Sequence, residues 1–154
     1  PSLPNHLSVR LYPSLCLFEG TEISVGRGTD WPFQVVGYDN PVYGDFAYQP
    51  GEKAGMVKHV EGKGQTMYGQ DLRGLNADDQ KFTLKYVLDF YNKMPDKSKF
   101  FTRADFFDKL AGTDELRKQM IAGKTEQEIR SSWKPELDAY KQMRKKYLLY
   151  PDFE

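Results

Sequence analysis

One short stretch limits what this chain can become more than any other. It runs Leu17-Phe18-Glu19-Gly20-Thr21-Glu22-Ile23-Ser24-Val25-Gly26-Arg27-Gly28-Thr29-Asp30-Trp31-Pro32-Phe33. A lone arginine stands between two glycines. Hydroxyls sit at Thr21, Ser24 and Thr29, a carboxylate at Glu19, and an aromatic pair brackets Pro32. Glycine permits positive φ and a close approach of backbone to a ligand, both of which a Cβ resists. A guanidinium is a planar fork of donors suited to carboxylates and crowded oxygens. The stretch therefore reads as the sharply turned, polar wall of a binding site.

The flanking sequence divides into two styles. Over residues 1–70, short β-branched or aromatic runs predict strands at Leu7 to Tyr12, Leu15 to Phe18, Phe33 to Val36 and Met56 to Val60. Pro13, Gly37, Pro41, Gly44, Pro50 and Gly51 punctuate them, as turns do between strands. The aromatic run Tyr38 to Phe46 is either the rim of a cleft or a packed connection. Gly62-Lys63-Gly64-Gln65-Thr66 lacks the spacing of a phosphate loop and reads as a basic turn between strands.

From Asn76 the hydrophobic period becomes helical. Leu84, Val87, Leu88 and Tyr91 share one face. Asp78 or Asp79 is placed to cap this helix, and Pro95 lies beyond it. Thr102 to Asp105 predicts the start of a second helix with Phe106, Phe107 and Leu110 inward, closed by Gly112. Thr113 opens a third, carrying Leu116, Met120 and Ile121 and stopped at Gly123. Thr125 and Glu128 form a capping box. Behind it Ile129, Trp133, Leu137, Tyr140, Met143 and Tyr147 hold one face, and Pro135 predicts a kink or two abutting helices. The expected class is α+β: short strands and loops first, amphipathic helices packed on them second. The 154 residues are expected to form a single domain, since neither a repeat nor a linker divides them.

Composition narrows the function. The 22 basic residues balance the 22 acidic ones, so no global field draws in nucleic acid or an anionic membrane. No apolar run has the length of a membrane span, and no signal peptide is visible. The opening Pro1-Ser2-Leu3-Pro4 looks like a position within a longer protein. Cys16 is the one cysteine and reads as a small buried hydrophobe. His6 and His59 stand far apart without ligand spacing, so neither a metal nor another cofactor is expected. Ser14 and Ser24 lack the Gly-x-Ser-x-Gly setting of a nucleophile.

Two side chains of the stretch carry chemistry. Glu19 is a candidate general acid for glycoside cleavage, with Glu22 and Asp30 as possible partners. Alternatively, it pairs with Arg27 and holds the turn. Arg27 either clamps a ligand carboxylate, such as the lactyl group of a muramic acid, or forms a structural ion pair.

Tyr12 to Thr21, Ser24 to Thr29 and Pro32-Phe33 together resemble the signature of the exo-β-N-acetylmuramidase (NamZ-like) family. Gly69-Gln70-Asp71-Leu72, the phenylalanine-rich segment Phe107 to Leu110, and Ile129, Trp133 and Arg144 to Tyr150 in the last helix and tail resemble later elements of the same family. The resemblance implies removal of terminal, non-reducing N-acetylmuramic acid from peptidoglycan fragments. It also implies a Rossmann-like N-terminal domain, a C-terminal α+β domain, a cleft between them, and a bacterial, periplasmic or secreted setting. Only the C-terminal part is matched, so the N-terminal domain is the expected partner and the principal catalytic glutamate is expected there. Glu19, as a catalytic candidate, and Thr21, Ser24, Arg27, Gly28 and Thr29, as substrate-binding candidates, would face the cleft. The alternative function is a non-catalytic peptidoglycan-binding or interdomain interaction module.

Overall fold

The structure is a computed structural model that describes residues 2–53 and 60–151. It contains α1 (His6–Leu15), a 3-10 turn (Cys16–Gly20), β1 (Val35–Tyr38), a second 3-10 turn (Pro41–Tyr43), β2 (Phe46–Tyr48) and β3 (Met67–Asp71). There follow α2 (Lys85–Lys93), α3 (Ala104–Ala111), α4 (Glu115–Ile121) and α5 (Glu126–Arg144). The class is α+β. The sheet is antiparallel, in the order β1-β3-β2, with Val36 opposite Gln70 and Tyr48 opposite Met67.

The first two predicted strands are helical. Leu7 to Tyr12 lies in α1, and Leu15 to Phe18 spans its end and the 3-10 turn. The cause is local. The Ser8 backbone N–H donates to the Asn5 side chain at 3.0 Å, and the Asn5 N–H donates to Ser8 Oγ at 3.2 Å, a reciprocal cap. Leu7, Leu11 and Leu15, four residues apart, then fall on one buried face. Pro13 lies inside α1 and deprives the Val9 carbonyl of its helical donor. Val9 is half exposed, so water can take that place. The run Met56 to Val60, apart from Val60 itself, and His59 lie outside the described residues.

The aromatic run Tyr38 to Phe46 is a connection pinned to the core at Tyr43, with residues 39–42 and 45 exposed. Tyr43 is buried and stacks on Phe90 with centroids 4.9 Å apart, while Phe18 meets the same ring edge-on at 5.4 Å. Phe90 belongs to α2, whose Tyr86, Val87 and Tyr91 are buried with it. Phe18 therefore ties the first 3-10 turn to the helical half. Gly20 completes that junction. A Cβ there would stand 2.6 Å from Phe107 Cβ and 2.8 Å from its Cα, so the turn lies directly on the α3 backbone. The Arg103 N–H donates to the Gly20 carbonyl at 3.1 Å. Phe106, expected inward, is exposed. Neighbouring helical residues point about 100° apart, so Phe107 occupies the core and Phe106 cannot follow it.

Most helix ends match their signals, with three exceptions, one of them Thr113, which accepts the Glu115 N–H at 3.2 Å but stands one position before Asp114, the N-cap residue of α4. Thr125 and Glu128 form the expected capping box, and Gly112 closes α3 in the left-handed conformation. Thr102 supplies no cap to α3, whose N-cap position is Arg103. Asp78 and Asp79 belong instead to a separate 3-10 turn (Ala77–Asp79), capped by Asn76. The start of α2 is served from α5. Glu126 accepts the Leu84 N–H at 3.0 Å and the Thr83 hydroxyl at 2.9 Å, and Arg130 donates to it at 2.8 Å. Helix α5 runs unbroken through Pro135.

Two outcomes follow. Gly20→Ala forces α3 away from the turn and should cost about 1–3 kcal/mol, measured as a lower urea midpoint at unchanged slope. Burial opposes the charge on Glu126, but the Leu84 N–H, Arg130 and Thr83 outweigh it and hold the carboxyl below its ordinary 4.5. Its stabilisation is then complete above the unfolded value and is lost as pH falls through the lowered one. Glu126→Gln should lower the unfolding temperature at about pH 7, and the gap should close as pH falls below the ordinary carboxylate range. A gap independent of pH would show that the charge is irrelevant.

Candidate functional site

Everything between the first 3-10 turn and β1 is tightly turned backbone. Thr21 donates its hydroxyl to the Phe18 carbonyl at 2.7 Å and accepts the Ile23 N–H at 3.0 Å. Thr29 repeats the pattern, donating to the Gly26 carbonyl at 2.6 Å and accepting the Trp31 N–H at 3.0 Å. Ser24 Oγ accepts the Gly26 N–H at 3.3 Å, and the Ser24 backbone bridges to Gly37 at the edge of β1. All three hydroxyl residues are buried. Such bonds let a side chain replace ladder partners in an irregular loop.

Gly26 and Gly28 adopt φ of +77° and +79°. At Gly28 a Cβ would also meet the Gly51 carbonyl oxygen at 2.4 Å, so the loop presses against the neighbouring backbone. Between these glycines Arg27 is aimed back at Glu19. Its guanidinium donates to Glu19 Oε2 at 3.1 Å. The two side chains are 15% and 21% exposed, so only one edge of the pair reaches the surface. The other carboxylate oxygen, Oε1, is buried and has no hydrogen-bond donor among the described residues.

Aromatic rings floor the pair. Arg27 lies over the Phe33 ring at 4.9 Å, and Tyr12 meets Phe33 edge-on at 4.9 Å. Phe33 is fully buried and is the one non-glycine residue with positive φ (+58°) among those described. Its N–H donates to the Val25 carbonyl at 2.7 Å. A bulky residue in this region costs on the order of 1–3 kcal/mol, and such strain gathers at functional sites. Burial first, then the Glu19 charge, raises the Tyr12 phenol, while Arg27 lowers it. The same two causes push the Cys16 thiol up to about 11. Cys16 is therefore a thiol at neutral pH and no nucleophile.

The structure brings Glu19 and Arg27 together, eight residues apart, and adds Tyr12 and Phe33, which composition did not single out as ligand neighbours. It leaves Glu22 and Asp30 in other settings. Asp30 pairs with Lys53, and Glu22 lines a separate cavity of about 460 Å³ with Tyr38, Asp39 and Glu61. One face of Trp31 is taken, because Arg73 stacks on it at 4.0 Å while held by Asp71. His6 is exposed at 3.9 Å from Asp78. No group of three or more His, Cys, Asp or Glu among the described residues could hold a metal ion. No helix among them is long and apolar enough to cross a membrane.

Comparison with known proteins gives this arrangement a context. A sequence model of the family described as exo-beta-N-acetylmuramidase NamZ, C-terminal, matches residues 10–150. The peptidoglycan beta-N-acetylmuramidase NamZ of Bacillus subtilis (strain 168) is 28% identical over 163 aligned positions, which span 97% of this chain and 39% of that protein. The crystal structure of a DUF1343 family protein from Bacteroides fragilis superposes with a TM-score of 0.89 at 38% identity, covering 99% of this chain and 43% of that one. This chain thus spans well under half the length of either relative. Its match over nearly the whole length shows that the chain belongs to the NamZ C-terminal domain family.

Proposed function

We propose that this chain is the C-terminal part of an exo-acting β-N-acetylmuramidase and supplies one wall of the cleft that holds a terminal, non-reducing N-acetylmuramic acid of a peptidoglycan fragment. The family match over residues 10–150 carries this reading. The Glu19–Arg27 pair supports it. Arg27 has a partly open edge, and a carboxylate-bearing sugar is a fitting ligand for a guanidinium already oriented. In this reading the lactyl carboxylate of the sugar binds Arg27.

Glu19 acts as a positioning residue. One of its oxygens is committed to Arg27 and the other faces inward, so neither is free to pass a proton to a glycosidic oxygen. Thr21, Ser24, Gly28 and Thr29 act through the backbone that they fix. The hydroxyls of Thr21, Ser24 and Thr29 and the positive φ of Gly28 hold the loop that aims Arg27, and their contribution to substrate binding is indirect. The second wall, and the acid–base chemistry of cleavage, would come from the N-terminal portion that the longer relatives carry.

The test joins this chain behind the N-terminal portion of the Bacteroides fragilis relative and assays chromogenic β-glycosides. The joined protein should cleave the N-acetylmuramic acid glycoside, and the isolated chain should not. Arg27→Gln should lower kcat/KM on that substrate about 10–100-fold, the scale of a lost charge-assisted hydrogen bond. It should leave residual cleavage of the N-acetylglucosamine glycoside, which lacks the lactyl group, nearly unchanged. Equal losses on both sugars would remove the lactyl assignment. Glu19→Gln should act mainly on KM. A kcat loss of about 10²–10⁴-fold at constant KM would make Glu19 the acid after all. Turnover by the isolated chain, abolished by Glu19→Gln, would place the whole chemistry here.

A further inference from the structure

Helix α5 leaves the body of the domain halfway along its length. Ile129, near its start, is fully buried, and Trp133, one turn on, is partly buried against the core. The same face then continues with Leu137, Tyr140 and Met143, and further exposed apolar side chains, Tyr147, Leu149 and Tyr150, follow the helix. These are 47%, 54%, 45%, 68%, 91% and 82% exposed. From Trp133 to Tyr147 these residues span roughly 20 Å at the helical rise. The apolar surface left open is on the order of several hundred Å², as large as the largest patches that monomeric proteins tolerate. Tyrosine and methionine dominate it, the residue types enriched in the buried centres of protein interfaces.

The patch also has an anchor point. Where α5 meets the body, Trp133 lines a mostly apolar cavity of about 340 Å³ with Pro13, Leu17, Phe82, Leu110 and Leu116. This cavity opens beside the start of the stripe, so a side chain from a partner could seat there while its surface covers Leu137 to Tyr147. Stability within the domain does not explain the stripe. The helix is fixed at its other end, through Glu126, Arg130 and Ile129.

We infer that the second half of α5 is the docking surface for the N-terminal portion of a NamZ chain, with the cavity beside Trp133 receiving an apolar side chain from it. Length selects this occupant. The family is described as the C-terminal part, and the chain covers 39% and 43% of two longer relatives, which carry a larger N-terminal portion beside it. The inference rests on family membership and is independent of the role assigned to Arg27.

Hydroxyl-radical footprinting tests it, because tyrosine and methionine are the residues that such radicals modify readily. The isolated chain and the chain joined to the N-terminal portion of the Bacteroides fragilis relative are compared. In the joined protein the modification rates of Tyr140, Met143 and Tyr147 should fall about fivefold or more, as water is excluded from an interface centre. In the isolated chain they should stay fast and independent of concentration. Tyr140→Glu with Met143→Glu should leave the unfolding temperature of the isolated chain unchanged and should restore fast modification of Tyr147 in the joined protein. Equal rates in the isolated and joined forms would overturn the proposal. So would protection in the isolated chain that rises with concentration alongside a dimer in sedimentation, which would assign the face to a second copy. Arg27→Gln in the joined protein should leave the footprint intact, so loss of the sugar assignment and loss of the docking assignment remain separable.

Discussion

The burial of Phe18 is the contact on which the arrangement depends. It sits in a 3-10 turn only five residues long, yet it reaches Phe90 of α2, while two residues later Gly20 lies against Phe107 of α3. One turn therefore fastens α1, α2 and α3 to the loop half. Glu19 stands between these two buried contacts and has no freedom to wander. Its position at the surface follows from what its neighbours bury. Arg27 must then be brought to it, and two positive-φ glycines with three hydroxyl turns do this. The positive φ of Phe33 fits the same account. The Val25 carbonyl and the packing of Tyr12 hold an unfavourable backbone so that an aromatic face lies under the guanidinium.

What could be read from the sequence was what is written locally. Thr125 and Glu128 announce their helix within four residues, and Gly112 ends another. The α1 helix escaped because its cap uses Asn5 and Ser8 instead of the hydroxyl-and-glutamate form, and because Pro13 reads as a breaker. In fact Pro13 costs only one carbonyl bond, at half-exposed Val9, and its fixed φ suits a helix. The α2 cap was invisible for another reason. Its donor-acceptor pair joins Leu84 to Glu126, 42 residues away. The strands β2 and β3 are short, carry an internal glycine or a flanking loop, and are defined by pairing with distant residues.

The candidate site shows the same division. The composition of residues 17–33 marked a turned, polar wall with a lone guanidinium, and the structure pairs that guanidinium with Glu19. The hydroxyls looked equally available for a ligand. Each also bonds backbone groups at 2.6–3.3 Å, an arrangement that depends on the φ/ψ of a loop and not on residue type. One face of Trp31 is covered for a similar reason: Arg73, 42 positions away, takes it. Side chains that sequence presents as a list of ligand contacts divide, once folded, into those that make the loop and those that the loop displays.

The two outward features share one framework. The turn bearing Glu19 is braced through Phe18 and Phe90 by α2, α2 is capped by Glu126 of α5, and α5 carries the exposed stripe. These contacts form a continuous chain of packing and hydrogen bonds, in which the Glu126 and Arg130 side chains make the link between α5 and the start of α2. A partner seated on the stripe would be held at a fixed distance and angle from the Glu19–Arg27 pair. That matters for an ion pair that shows only one edge at a shallow surface. A sugar bound there alone would leave most of its own surface in water, whereas ligand sites ordinarily enclose theirs. A second wall anchored through α5 would convert the shallow edge into a cleft, and water excluded from that cleft would strengthen the hold of Arg27 on a carboxylate. Docking and recognition would then be one design problem, solved by placing the apolar grip at one end of a rigid framework and the charged contact at the other.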